Sequence, residues 1–110
     1  MTETIIRVYT GIVKTIRKPD WKTRQIGCYE LAYKEFDAET GELIGEGTAD
    51  FTGKRMCDEL RQYEILLRDD VRNGIDEPRR WIYVSKNQDC AAIAARFVYG
   101  EEALRVKRIH

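Results

Sequence analysis

The first half of the chain alternates apolar and polar residues in three blocks, a pattern that commits it to a sheet before anything else. From Thr4 to Ile16, Ile6, Val8, Ile12 and Ile16 share one face, while Arg7, Gly11, Thr15 and Arg17 share the other. A period of two with β-branched residues reads as a strand. Arg17 to Arg24 interrupts it, with Pro19-Asp20 as the turn signal. Gln25 to Phe36 resumes, with Cys28, Ala32 and Phe36 on one side and Tyr29, Leu31 and Tyr33 on the other. Both sides are partly apolar, which places this strand in the middle of a sheet. Asp37-Ala38-Glu39-Thr40-Gly41-Glu42 reads as a hairpin loop in which Gly41 takes a positive φ. Leu43 to Phe51 returns as a third strand, and Gly45, Gly47 and Ala49 leave one of its faces flat.

The period then changes. Thr52 is placed to cap a long helix, since Met56, Leu60, Tyr63 and Leu67 form one apolar stripe. Asn73-Gly74 ends it, and Ile75 to Arg79, with Pro78, is a charged loop. Arg80 to Ser85 is a fourth strand. Ser85-Lys86-Asn87-Gln88 has the spacing of a capping box, with Asn87 as a rival cap, ahead of a second helix carrying Cys90, Ile93, Ala94, Phe97 and Val98. Gly100 ends that helix, and Ala103 to Ile109 is a last strand.

The expected fold class is therefore α+β, an antiparallel sheet in the order β-β-β-α-β-α-β with two helices packed on one face. The final β-α-β leaves room for a parallel pairing through a right-handed crossover. At 110 residues, 43% of them hydrophobic, residues 1–110 suit a single domain with its own core. Two prolines and a single serine argue against a flexible linker. No apolar run has the length of a membrane span, and Met1-Thr2-Glu3-Thr4 does not open a signal peptide. Cys28, Cys57 and Cys90 are odd in number and widely spaced, which suits free thiols in a cytoplasmic setting better than a disulfide framework.

Catalytic constellations are thin. A nucleophile needs a base and a group to orient it, and the one histidine, His110, stands at the end of the sequence. Cys57 and Cys90 fall near the expected helix N-termini, where the dipole favours thiolate; the ordinary reading makes each a small buried hydrophobe. Asp69-Asp70 and Glu101-Glu102 are adjacent pairs that do not converge on one ion. No enzyme activity, metal or cofactor is expected. Thr52-Gly53-Lys54-Arg55 opens a helix, so Lys54 and Arg55 are candidates to hold an anion there, against a simple cap followed by exposed charge.

Charge is the remaining clue. Lys plus Arg and Asp plus Glu both number 19, yet they are sorted along the chain. Lys14, Arg17, Lys18, Lys22 and Arg24 stand against one acid, Asp20, in a basic limb that also carries Trp21. Cations contact phosphate and an exposed indole stacks on a base, so these six residues are the candidate nucleic-acid or anion site. Arg79-Arg80-Trp81 and Arg105, Lys107 and Arg108 are placed to extend it. Alternatively this is a charged loop with Trp21 tucked beneath the sheet. Asp37, Glu39, Glu42, Glu46 and Asp50 form an acidic limb without a Lys or Arg. Its residues Asp37, Glu39, Glu42 and Glu46 are the candidate protein-binding site, or they keep a loop soluble.

Three strands followed by a helix, with Asp37-Ala38-Glu39-Thr40-Gly41 in the second turn, resemble the small three-stranded DNA-binding domains of some integrases and plant regulators, over about half the chain. The resemblance implies nucleic-acid binding on the sheet face, which is basic in those domains; here the corresponding hairpin is acidic.

The expectation is a small cytosolic, non-catalytic binding module whose partner is a protein or a nucleic acid, with no membrane partner. The alternatives are a homodimer paired through strand one or the last strand, with Tyr29, Leu31 and Tyr33 as its apolar patch, and a redox sensor built on Cys57 or Cys90.

Overall fold

The computed structural model describes residues 4–74, 80–88, 90–100 and 104–109. The expected features at Ile75 to Arg79, Glu101-Glu102, Ala103 and His110 lie outside the described residues. Among those described, the elements run β1 (Ile5–Arg17), β2 (Cys28–Asp37), β3 (Leu43–Thr52), α1 (Gly53–Glu59), β4 (Leu60–Leu66), α2 (Arg68–Arg72), β5 (Arg80–Ser85), a 3-10 turn (Lys86–Gln88), α3 (Ala91–Tyr99) and β6 (Arg105–Arg108). The strands form one six-stranded sheet in the order β3-β2-β1-β5-β4-β6. Every neighbouring pair is antiparallel, so the α+β class and the antiparallel sheet stand.

The expected long helix after Thr52 is replaced by α1, β4 and α2. Thr52 does cap a helix, its hydroxyl accepting from the Arg55 amide at 3.2 Å, but that helix ends at Glu59. The stripe Met56, Leu60, Tyr63, Leu67 fits a helical period, yet Tyr63, Ile65 and Leu67 also fit a period of two. The second pattern wins because β4 gains ladders on both sides, with β5 and with β6. Tyr63, Ile65 and Leu67 then enter one core while Leu60 enters the other, on the opposite face. Nor do the strands flanking α3 pair in parallel: β4 lies between β5 and β6. The supposed capping box at Ser85 to Gln88 is the 3-10 turn, and Cys90 is the N-cap of α3. Gly100 ends α3 as expected, with φ of 72°.

The two faces of the sheet bury different cores. On one, Ile6, Val8, Phe36, Ile65, Ile82 and Val84 pack beneath Ala91, Ala94 and Ala95 of α3. On the other, Tyr9, Leu31, Phe51 and Leu60 pack together with Met56 of α1. The helices thus divide between the faces rather than sharing one. Tyr9 stands edge-on to Tyr33 and Phe51, with ring centroids 6.0 and 5.2 Å apart. The flat face of β3 has a tenant: Gly47 lies opposite Tyr33, and a Cβ there would stand 2.8 Å from its hydroxyl. The aromatic ring occupies the space a side chain would have taken. The α3 side is closed by Asp70, which is 5% exposed and receives Arg80 through Nε and Nη2 at 3.2 and 3.4 Å. The Arg80 guanidinium also lies 5.3 Å from the Tyr99 ring centroid.

β1 departs from its simple alternation. Its 13 residues pair with the 10 of β2, with the register slipping between Tyr9 and Gly11, Ile12 and Lys14, and Thr15 and Arg17. Thr10, Val13 and Ile16 are therefore the extra residues of three successive bulges, which coil the strand and change which face each side chain meets. Ile6 and Val8 stay buried, while Ile12 and Ile16, expected on the same face, are 47% and 46% exposed. Strand one is also not an edge: β1 lies between β2 and β5. Leu31 is fully buried, so Tyr29, Leu31 and Tyr33 do not make an open apolar patch.

This arrangement sets a contrast. Ile65→Ala should cost about 2–5 kcal/mol in urea unfolding, as for a buried core residue. Ile12→Ala should stay within about 0.5 kcal/mol. Equal costs at the two positions would contradict the pairing of β4 and the bulging of β1.

Candidate functional site

Three bulges and a tight turn make the basic limb into a projecting arm. From Ile12 through Ile26 every residue is exposed. The turn is closed by paired backbone hydrogen bonds between Asp20 and Gln25, at 3.0 and 2.8 Å, leaving Trp21 to Arg24 at the tip. Arg24 adopts φ of 59°, the left-handed step that completes the loop. Side chains tie the arm together: Asp20 Oδ1 accepts from the Lys22 amide at 3.0 Å, Gln25 Nε2 donates to the Lys18 carbonyl at 2.8 Å, and Arg17 Nε donates to the Ile26 carbonyl at 2.9 Å. The tip is thus shaped by its own hydrogen bonds rather than by packing.

Trp21 is 84% exposed, so the alternative in which it tucks under the sheet does not hold. Exposed Ile12, Val13, Ile16 and Ile26 run down the arm behind it. Among the described residues no carboxylate forms an ion pair with Lys14, Arg17, Lys18, Lys22 or Arg24. Lys14 stands across from Glu30 at the root of the arm, so the cations nearest the tip are the least compensated. The structure therefore gathers all six residues of the basic limb on one element. Lys54 and Arg55 stand on α1, whose first residue Gly53 donates its amide to the Gly27 carbonyl at the arm's root, at 2.9 Å. Lys54 is exposed on α1, but Arg55 binds Glu59 at 2.6 Å and lies over the Phe51 ring at 4.7 Å. Its guanidinium is held above the ordinary range by that carboxylate.

One residue of the acidic limb, Asp37, is spent on the fold. Asp37 Oδ1 accepts from the amides of Glu39 and Thr40 at 2.8 and 3.3 Å, shaping the β2–β3 loop from inside. Gly41 takes the expected positive φ, 75°, and a Cβ there would stand 2.9 Å from the Phe97 ring of α3. Glu46 lies opposite Lys34. Glu39 and Glu42 remain exposed, at the far end of β2 from the arm. Ten strand residues put roughly 33 Å between the two ends.

Elsewhere the chemistry is structural. Arg7 pairs with Glu35 at 3.5 Å and lies over Tyr33, and a hydrogen bond with Tyr9 leads the causes that raise its pKa. Cys57 is exposed on α1 rather than buried on a stripe, and Cys90 Sγ donates to the Gln88 carbonyl at 3.0 Å. A mostly apolar pocket of about 170 Å³ lies under α1, between Met56, Leu60 and Tyr83. Among the described residues no three His, Cys, Asp or Glu gather where a metal ion could be held. Among the described residues no helix is long and apolar enough to cross a membrane. The exposed indole was not legible from spacing alone, because a lone Trp between charges suits a buried anchor equally well.

Two outcomes test this geometry. Gly41→Ala should destabilise by about 1–3 kcal/mol through its backbone and Phe97, whereas Glu39→Gln should stay within about 0.5 kcal/mol. Equal effects in urea unfolding would show that the loop is not braced against α3. Separately, burial raises the hydroxyl pKa of Tyr83 and Tyr99, with Arg80 opposing and Asp70 assisting at Tyr99. The unfolded hydroxyls ionise first, near pH 10. The stability these two groups contribute is therefore fully present below about pH 10 and falls as pH rises toward their folded pKa values. The Tyr83→Phe, Tyr99→Phe double variant should show a shallower alkaline loss of urea midpoint than the parent; an identical loss would exclude the effect.

The chain matches no protein-family model, no curated protein and no solved structure.

Proposed function

We propose that this chain is a small non-catalytic binding module that holds single-stranded nucleic acid along the β1–β2 arm. One observation carries the reading: Trp21, 84% exposed, caps an arm with five cations and one acid, on which every residue from Ile12 to Ile26 is open. Fully burying a large apolar side chain is worth roughly 1.5–3 kcal/mol. This arm leaves an indole and four aliphatic side chains outside instead. Exposed apolar side chains gathered on one element beside charge favour an interaction site. Lys14, Arg17, Lys18, Lys22 and Arg24 supply contacts for phosphates, and Trp21 supplies a face for an unpaired base. A net charge of zero does not oppose this: Glu39 and Glu42 lie in the turn at the far end of β2 from the arm, although Asp50, opposite Glu30, is on the arm's side.

Edge-strand pairing has less behind it. β1 carries three bulges along the arm, and bulges and lysines are devices that blunt a strand edge. The outer strand β3 bears Glu46 and Asp50, exposed. The acidic loop as a protein-docking site loses Asp37 to the loop's own amides.

Fluorescence anisotropy of a labelled oligo(dT) of about ten nucleotides tests the proposal. Binding is expected at low salt, with log K falling linearly in log salt. The Lys18→Ala, Lys22→Ala, Arg24→Ala variant should bind at least tenfold more weakly. Its salt slope should drop by about 2, at roughly 0.7 per lost phosphate contact. Trp21→Ala should weaken binding on the order of tenfold through lost stacking. No anisotropy change at low salt, or undiminished binding by the triple variant, would remove the arm as a nucleic-acid site.

A further inference from the structure

The ladder between β1 and β5 contains two residue pairs, Val8 with Val84 and Tyr9 with Tyr83. Beyond them the strands part around a notch of about 420 Å³, whose walls include Gly11 and Ile12 from β1, Arg80, Trp81 and Tyr83 from β5, and Tyr99 from α3. The walls of the notch come from both faces of the sheet, since Tyr83 belongs to the α1 side and Tyr99 to the α3 side. Its volume lies in the range of small-molecule sites. Trp81 is 42% exposed on its wall. Arg80 is fixed in place there by its two-point contact with Asp70 and lies over the Tyr99 ring. Above Gly11 the space is open: a Cβ there would meet nothing within 4 Å. Ile12 belongs both to the notch and to the exposed arm, so the two surfaces are continuous.

We infer that the notch receives one unstacked base of the strand that the arm holds, between Trp81 and Tyr99 and beside the Arg80 guanidinium; this rests on the arm's reading as a nucleic-acid site. Aromatic walls with an arginine are the surroundings in which splayed bases settle. An extended peptide fits less well. It would need a regular strand edge to pair with, and β1 is bulged at Thr10, Val13 and Ile16 over this stretch. The one carboxylate directly across from Trp81, Glu64, has Lys107 on its other side.

The chain has two tryptophans, so Trp21→Phe leaves Trp81 as the sole indole. Titrating that variant with the labelled oligo(dT) should quench Trp81 emission with the same midpoint as the anisotropy. An abasic oligomer of equal length should bind more weakly and leave the emission unchanged. Gly11→Leu fills the notch from a position with room for a side chain; it should weaken oligo(dT) binding on the order of tenfold and abolish the quench in the Trp21→Phe background, while its thermal midpoint stays at the parent's. Saturable anisotropy with unmoved Trp81 emission overturns the notch and leaves the arm reading intact. Parental affinity and quench in Gly11→Leu do the same. Absence of any anisotropy change at low salt overturns both readings together.

Discussion

The pairing of a 13-residue strand with a 10-residue one governs the architecture. Three bulged residues in β1 add twist where a regular ladder would have stayed in the plane of the sheet. The same coiling accompanies the parting of β1 from β5 after two pairs and the projection of the hairpin beyond the core. The dimensions record it. The radius of gyration is 15.1 Å, against about 13 Å for a compact chain of this size, within a slab 44 × 44 × 20 Å.

The rest of the chain is anchored by conventional means, which lets the arm remain unburied. Small residues of α3, Ala91, Ala94 and Ala95, allow it to lie close on Val8, Ile65, Ile82 and Val84. The opposite face relies on edge-to-face aromatics instead, with Tyr33 laid across the glycine of an otherwise weak edge strand. Asp70 and Arg80 join α2 to β5 at the rim. That pair is half open to water on the arginine side, so it fixes position more than it stabilises. The arrangement leaves Arg80 oriented at the mouth of the notch.

Charge segregation in the sequence becomes spatial segregation for the two turns, which lie at opposite ends of the shared strand, while Glu46 and Asp50 follow β3 back toward the arm. The basic turn keeps its cations outward, since its shape comes from backbone pairing, Asp20 and Gln25. The acidic turn consumes the Asp37 carboxylate in building itself, and it docks on α3 through Gly41 and Phe97. A net charge of zero therefore conceals an uneven distribution of charge between the two turns.

Local pattern settled the three-strand meander, the central place of β2, the positive φ at Gly41, the Thr52 cap and the Gly100 stop, because each depends on alternation or on one residue's conformational range. Tyr63 to Leu67 carried two compatible periods, and only backbone pairing with β5 and β6 chose between helix and strand. The exposure of Ile12, Ile16 and Trp21 was likewise invisible locally, since a bulge is defined by the partner strand it fails to match. Composition along the chain determined that the cations would share one segment. Whether that segment was buried, neutralised or held out to solvent was decided by register and coiling, which arise between strands and not within them.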